Sequence, residues 1–464
     1  MHKTLLVLLA AGICGCASVA VTDVAGDAGS EDRYMAQGYV QIEHPDWARN
    51  AAIYELNTRQ FTTEGTFRAA MAHLPRIRDL GIDIVWLMPI HQIGEKNRKG
   101  TLGSPYSIRD YFSVNPELGT EDDLRAFVDR AHELGMYVII DWVANHTAWD
   151  NPLVESHPHW YTKTWNGEMT HTPGTDWTDI VDLDYSNAGV RRYMTEALTY
   201  WVREFDIDGY RCDVAGFVPV AFWDNARAEL DAIKPVFMLA EWESRDLHAN
   251  AFDMSYGWSW YSRMHDIAMG RADVNAIRGY YFYDMANTWP DDAYRMVFVS
   301  NHDKNTWDGT QFQMFGKALE ASIVLSVVGD GMPLVYSGQE AGNPKRLEFF
   351  EKDEIEWRPH PIGELYRSLL QLLEQNQALW HGNAGGQMVE VGTSSPESIL
   401  SFVRAQDGDK VFAVFNFSKH PRDVLFDDGP HYGAYRDWFS GETQQFDSST
   451  TLRMSPWSYR IFVR

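Results

Sequence analysis

From about residue 50 the chain alternates short β-rich runs with amphipathic helical stretches, and this alternation constrains the fold more than any other feature. The runs are AAIYEL (51–56), DIVWLMPI (83–90), MYVIID (136–141), DGYRCD (208–213), PVFMLAE (235–241), AFDMSY (251–256), MVFVSN (296–301) and MPLVYSG (332–338). Near-continuous apolar runs of this length suit parallel strands covered by helices on their outer face. The helices between them have legible ends. Thr120 and Asp123 stand at capping-box spacing, Leu124, Phe127, Val128, Ala131 and Leu134 form one face, and Gly135 stops the helix. Val190, Met194, Leu198, Trp201, Val202 and Phe205 recur at three- and four-residue steps in a second one. Eight such units predict an α/β fold, a (β/α)8 barrel over residues 46–378, with reactive groups where the strands end. A stretch without periodicity at 148–186 predicts a short excursion after the third strand. At 379–464 the rhythm changes to short strands separated by turn residues, which predicts a C-terminal antiparallel β-sandwich.

The first residues read as a leader. His2 and Lys3 precede an apolar run from Leu5 to Ile13, too short to span a membrane, as in a secretory signal over residues 1–16. Ile13-Cys14-Gly15-Cys16 resembles a bacterial lipobox, which would make Cys16 the lipidation site and the protein an exported, membrane-anchored lipoprotein. A plain signal peptide cut nearby is the alternative. Residues 17–45 then serve as a flexible tether, and Ala17 after the cysteine resembles lipoproteins sent on to an outer membrane. Only Cys212 would remain in the mature domain, so no internal disulfide is available and the fold rests on its core. A formal charge of −25 argues against nucleic acid or anionic lipid as a partner, since KNRKG at 96–100 is too short a basic stretch to reverse it.

Four acids close apolar runs: Asp141, Asp213 and Glu241 end the third, fourth and fifth, and Asp303 follows the seventh in FVSNHD. One such acid would be an ordinary cap or loop residue, but four at one barrel mouth gather like charges at a cost that calls for a use. Paired carboxylates among aromatic rings suit glycoside hydrolysis, and aromatic residues make up 14% of this chain. Arg211 shares a strand face with Asp213 and favours its ionised form, as a nucleophile needs. Glu241 sits behind the apolar FMLA, where a raised pKa suits an acid/base. His146 and His302 lack the paired helical spacing of zinc motifs and are better read as hydrogen-bond donors to sugar hydroxyls.

These residues resemble the α-amylase family, glycoside hydrolase family 13, over about residues 48–464. DWVANHT (141–147), GYRCDVA (209–215), the glutamate of AEWE (240–243) and FVSNHD (298–303) resemble its four conserved regions, in order. The segments WLMPI, VDLD, GMPLVYSGQEAG and PYSIRDYFSVNPELGT support the match. The resemblance implies Asp213 as nucleophile, Glu241 as general acid/base and Asp303 as the residue gripping the ring hydroxyls. It implies substrate-binding roles for Tyr106, Asp141, His146, Arg211 and His302, with Tyr106 stacked beneath the sugar at the cleavage point. The expected reaction is cleavage of α-1,4-glucosidic bonds in starch, glycogen or maltooligosaccharides, with retention through a covalent glycosyl-enzyme.

Many relatives bind calcium, for which Asn145 and Asp182 match two of the ligand positions and Phe217 stands where a histidine supplies a carbonyl. Hydrogen bonding by Asn145 without metal is the alternative. Gly216 stands where many α-amylases carry a lysine on the leaving-group side, so the subsites there must be furnished differently. Candidates are Trp142, Trp149, Trp160, Trp165 and Trp242, any of which could instead be packing. Competing readings are a cyclomaltodextrinase or neopullulanase-like enzyme, a glucan-transferring relative and, more remotely, a non-catalytic glycan-binding protein.

Overall fold

The computed structural model describes residues 39–283 and 288–464. The leader, the lipidation candidate Cys16 and most of the tether lie outside the described residues. All eight expected runs form strands: β1 (Ile53–Leu56), β2 (Ile84–Leu87), β3 (Tyr137–Trp142), β4 (Gly209–Cys212), β5 (Phe237–Ala240), β6 (Met254–Tyr256), β7 (Tyr294–Val297) and β8 (Met332–Tyr336). They pair in parallel, each with the next, and β8 closes on β1. Two strands differ in extent from the apolar runs. The paired part of the sixth run starts only at Met254, because the Asp253 carboxylate is drawn inward to accept from Met238 N–H and from Arg227, each at 2.7 Å. The seventh strand pairs earlier than its run, at Tyr294–Val297, and the remaining apolar residues carry the chain up to His302 and Asp303.

The helix Glu121–Glu133 begins on the expected capping box, in which Thr120 and Asp123 satisfy each other's backbone N–H, and it ends before Gly135 at φ +73°. Leu124, Phe127, Val128 and Ala131 are its buried face. The helix Ala188–Phe205 is capped by Asn187 and buries all six residues of the expected stripe. By contrast, Leu319–Val328 is buried on nearly every side, because it packs against both the helix Pro361–Gln375 and the C-terminal strand Ser458–Val463.

The excursion consists of the antiparallel pair His146–Ala148 and Ile180–Asp182 with a short helix, Pro152–Ser156, between them. A second one follows β2, where the hairpin of His91–Ile93 and Ile108–Val114 lifts Tyr106 over the barrel mouth. The C-terminal domain is a six-stranded antiparallel sheet with a two-stranded one, closed on a core that includes Phe412, Phe446 and Phe462. Arg404, fully buried, donates to the carbonyls of Gly329, Trp380 and Gly386 and so joins this domain to the barrel.

Candidate active site

The C-terminal ends of the strands hold Glu55 (β1), Asp141 (β3), Arg211 and then Asp213 (β4), Glu241 (β5), and His302 and Asp303 beyond β7. A cavity of about 510 Å3 opens there, lined among others by Tyr106, His146, Asp213, Glu241, His302 and Asp303.

Arg211 organises the carboxylates. The β3–β4 register pairs Asp141 with Arg211, so both point into the barrel. Its Nη1 donates to Asp141 Oδ1 and to Asp213 Oδ1, both at 3.0 Å, and its Nη2 lies 2.9 Å from Glu241 Oε1. Arg211 thus stands between the two acids, hydrogen-bonded to Asp213 and in ionic contact with Glu241. Asp141 is fully buried and takes further hydrogen bonds from Trp86 Nε1 and Tyr106 O–H, at 3.2 and 3.0 Å. Arg211 is fully buried too. Neither lines the cavity, so the structure places these two expected substrate contacts behind its wall, as positioning residues.

The second oxygen of Glu241 accepts from Val214 N–H at 2.8 Å. That N–H is aimed by a left-handed backbone at Val214, φ 36° and ψ 49°, which for a β-branched residue costs on the order of 1–3 kcal/mol. Burial pushes the Asp213 and Glu241 carboxyls upward and the arginine pulls them back. Asp213 comes to about 6 and Glu241, with Asp213 and Asp303 beside it, to about 8. Near neutrality, then, one acid is ionised and its neighbour protonated.

On the opposite wall, burial would lower His302, but Asp303 and Glu55 carry it up to about 9. The resulting imidazolium donates Nδ1–H to Glu55 and Nε2–H to the Tyr106 hydroxyl at 2.9 Å, and Tyr106 donates its own O–H to Asp141. One hydrogen-bonded chain thus runs from Glu55 to Arg211. Burial pushes His146 down to about 4, so its ring is neutral. Asp303 is one-third exposed, with its carboxylate at the cavity, as a contact to ring hydroxyls requires.

Residues 48–364 match the family described as alpha amylase, catalytic domain. The chain belongs to the α-amylase family. Residues 392–457 match the all-beta C-terminal domain of alpha amylases. A solved noncanonic maltogenic alpha-amylase from Thermotoga neapolitana is 32% identical with a TM-score of 0.81, covering 89% of this chain and 98% of that one. Alpha-amylase MalA of Haloarcula japonica is 27% identical over 401 residues, 82% of this chain and 57% of its own. An alpha-1,4-glucan:maltose-1-phosphate maltosyltransferase of Arcanobacterium haemolyticum is 35% identical over 455 residues, 85% of this chain and 63% of its own. The chain therefore spans about three fifths of the length of these two curated relatives.

Within this α-amylase fold, Asn145 and Asp182 do meet. Asn145 Nδ2 donates to Thr172 Oγ1 at 2.8 Å and to Asp182 Oδ1 at 3.3 Å, and the Thr172 hydroxyl donates to the same Oδ1 at 2.8 Å. Calcium takes six to eight oxygens, several of them carboxylate. Here one carboxylate is already engaged by two donors, and among the described residues no three His, Cys, Asp or Glu side chains gather as a metal site. The donor set does not fit the calcium that the resemblance implies, and the triad pins the excursion to the barrel by hydrogen bonds.

Of the tryptophans considered for subsites, Trp142 is fully buried core, Trp160 packs on Gly189, and Trp165 is 98% exposed at the excursion's tip. Trp149 donates to the Thr178 carbonyl at 3.1 Å. Trp242 directly follows Glu241 in the chain. The cavity aromatics that sequence reading missed are Trp177, Trp307, Phe349 and Phe350. Glu55 was also missed: it lies inside the apolar run IYEL, whereas Asp141, Asp213 and Glu241 close theirs.

Proposed function

We propose that this α-amylase family member hydrolyses α-1,4 bonds of starch-derived maltooligosaccharides and polysaccharide with retention of configuration. The observation that carries this reading is the shared grip of Arg211 on Asp213 and Glu241, with the two carboxyls tuned to opposite protonation states at one cavity. Glu241 protonates the glycosidic oxygen as Asp213 attacks the anomeric carbon, and the leaving sugar departs with its new hydroxyl. Esterification removes the Asp213 charge, which is one of the groups that hold Glu241 up. Its pKa therefore falls, and the carboxylate can take a proton from the incoming water. Asp303 and the imidazolium of His302 face the ring that carries the developing positive charge, and the buried Glu55 carboxylate beside His302 offsets the imidazolium's charge.

The matched family and the names of relatives, among them a maltogenic alpha-amylase and cyclomaltodextrinases, support an α-glucan substrate. Reducing-sugar release from soluble starch and maltoheptaose tests the reading. Asp213→Asn should lower it by about a thousandfold or more, and activity surviving in that variant would overturn the assignment.

We also propose export and anchoring through Cys16, on the strength of the lipobox-like Ile13-Cys14-Gly15-Cys16. Palmitate label should enter the native protein and be lost in Cys16→Ser; a native protein that never takes label would overturn it.

A further inference from the structure

The basic stretch KNRKG, residues 96–100, lies at the tip of the hairpin that carries Tyr106, and that tip is tied down on two sides. One side is the excursion. Glu95 N–H donates to Asp150 Oδ2 at 2.9 Å, and Lys99 Nζ donates to the Asp176 carbonyl at 3.2 Å and lies 3.0 Å from Asp179 Oδ1. The other side is the loop after β8. Thr101 N–H donates to Glu351 Oε1 at 2.8 Å, and Leu102 N–H donates to the Phe350 carbonyl at 3.1 Å. Between the two ties stands Gly100, at φ +64°, where a Cβ would come within 2.4 Å of Phe350 Cβ. Arg98 stiffens the tip by donating to the Gly94 and Ile93 carbonyls at 2.8 and 3.3 Å.

This bridge forms part of the wall of the active-site cavity, which Lys99, Asp176 and Phe350 all line. Past Phe350 the wall continues through Trp307, 6.0 Å away between ring centroids, into the turn that follows Asp303. From the excursion to that turn each step is a direct contact, and none leaves room for a sugar ring between its partners. The wall stands on the side of Tyr106. Tyr106 N–H donates to Ser104 Oγ at 3.1 Å, and the ring of Phe349 lies parallel to that of Tyr106 at 6.0 Å. In the hydrolase reading the sugar that stays on Asp213 lies against Tyr106 and His302, while the departing part leaves past Glu241, which protonates its oxygen. The wall therefore meets the non-reducing end of the chain. Of the three N–H donors of an ammonium, Asp176 and Asp179 engage two at Lys99, which leaves one for the cavity.

We propose that residues 96–103 close the donor end of the cavity and that Lys99 recognises a hydroxyl of the non-reducing terminal glucosyl unit, so that the enzyme works from chain ends. The proposal rests on the hydrolase reading above. An internal stretch of glucan cannot thread a wall fixed on both sides. Only a free end enters, and each encounter releases a short oligosaccharide of set length rather than cutting the polymer at random.

The test compares kcat/KM on maltoheptaose with kcat/KM on maltoheptaose whose non-reducing end carries a 4,6-O-benzylidene group. A ratio of two substrates on one preparation does not depend on how much of it is folded. The native protein should favour the open chain by about a hundredfold or more, as a site built around a terminal hydroxyl predicts. Lys99→Ala should shrink that preference by about tenfold, as loss of a hydrogen bond from a charged donor predicts. Glu351→Ala, which frees the other tie, should shrink it as well. Equal rates of the native protein on the two chains would show that glucan passes over the wall, and would overturn the proposal while leaving the hydrolase intact. A preference unchanged in either variant would overturn it too. No cleavage of either chain by the native protein would instead remove the hydrolase reading, and the proposal with it.

Discussion

Replacing Glu241 by glutamine removes a proton donor and leaves its shape. The structure sets the size of the effect. Burial first, then the charges of Asp213 and Asp303, lift this carboxyl from 4.5 to about 8, against Arg211 and the Val214 N–H. At pH 7 a group at about 8 is about nine-tenths protonated, whereas an ordinary glutamate is about 0.3% protonated. The fold therefore multiplies the available acid roughly 300-fold. Loss of general acid catalysis should lower kcat/KM on maltoheptaose by about 10²–10⁴. With α-glucosyl fluoride, kcat/KM reports only formation of the intermediate, and fluoride departs without a proton. The native protein should give a bell on maltoheptaose with limbs near pH 6 and 8, which belong to the coupled pair rather than to either residue alone. On the fluoride, Glu241→Gln should keep the acidic limb and lose the alkaline one. Azide, which attacks without needing a base, should restore its turnover and yield α-glucosyl azide. An alkaline limb that persists in Glu241→Gln would refute the assignment of the raised pKa to this residue.

Stability follows the same shift. Between roughly pH 4.5 and 8 the folded protein binds more protons at Glu241 than the unfolded chain does, so stability falls as pH rises through that window. The melting temperature of Glu241→Gln relative to native should accordingly climb between pH 5 and 8.5. Glu55→Gln removes a buried charge facing His302, so NMR titration should find the imidazole pKa well below the native value of about 9. Asp253→Ala takes a fully buried carboxylate away from Arg227, His44 and the Met238 N–H, and should destabilise by about 3–5 kcal/mol in a urea titration. Because Asn145, Thr172 and Asp182 satisfy one another, EDTA should leave the melting temperature unchanged; a clear fall on chelation would show that an ion holds the excursion.

The barrel was legible because strands buried on both faces read as unbroken apolar runs, and helices such as Glu121–Glu133 announce both ends through Thr120, Asp123 and Gly135. The catalytic acids were legible for the same reason: an acid that ends an apolar run contradicts its surroundings. Glu55 escaped notice because it lies within its run, one residue before Leu56. The aromatic walls carried no local signal at all. Trp177, Trp307 and Phe349 come from three loops far apart in the chain and meet only after the barrel closes. Gly216 was visible as a departure from the family pattern, but its cause, the indole of Trp242 lying across it, is tertiary.

The central claim is that Asp213 attacks the anomeric carbon. A 5-fluoro-α-glucosyl fluoride, whose ring fluorine slows breakdown of the intermediate more than its formation, should inactivate the protein. Mass spectrometry should then find one fluoroglucosyl group on the peptide carrying Asp213, lost again when maltose is added as an acceptor. Label on any other carboxylate, or turnover of maltoheptaose that gives the β-anomer first, would contradict the account.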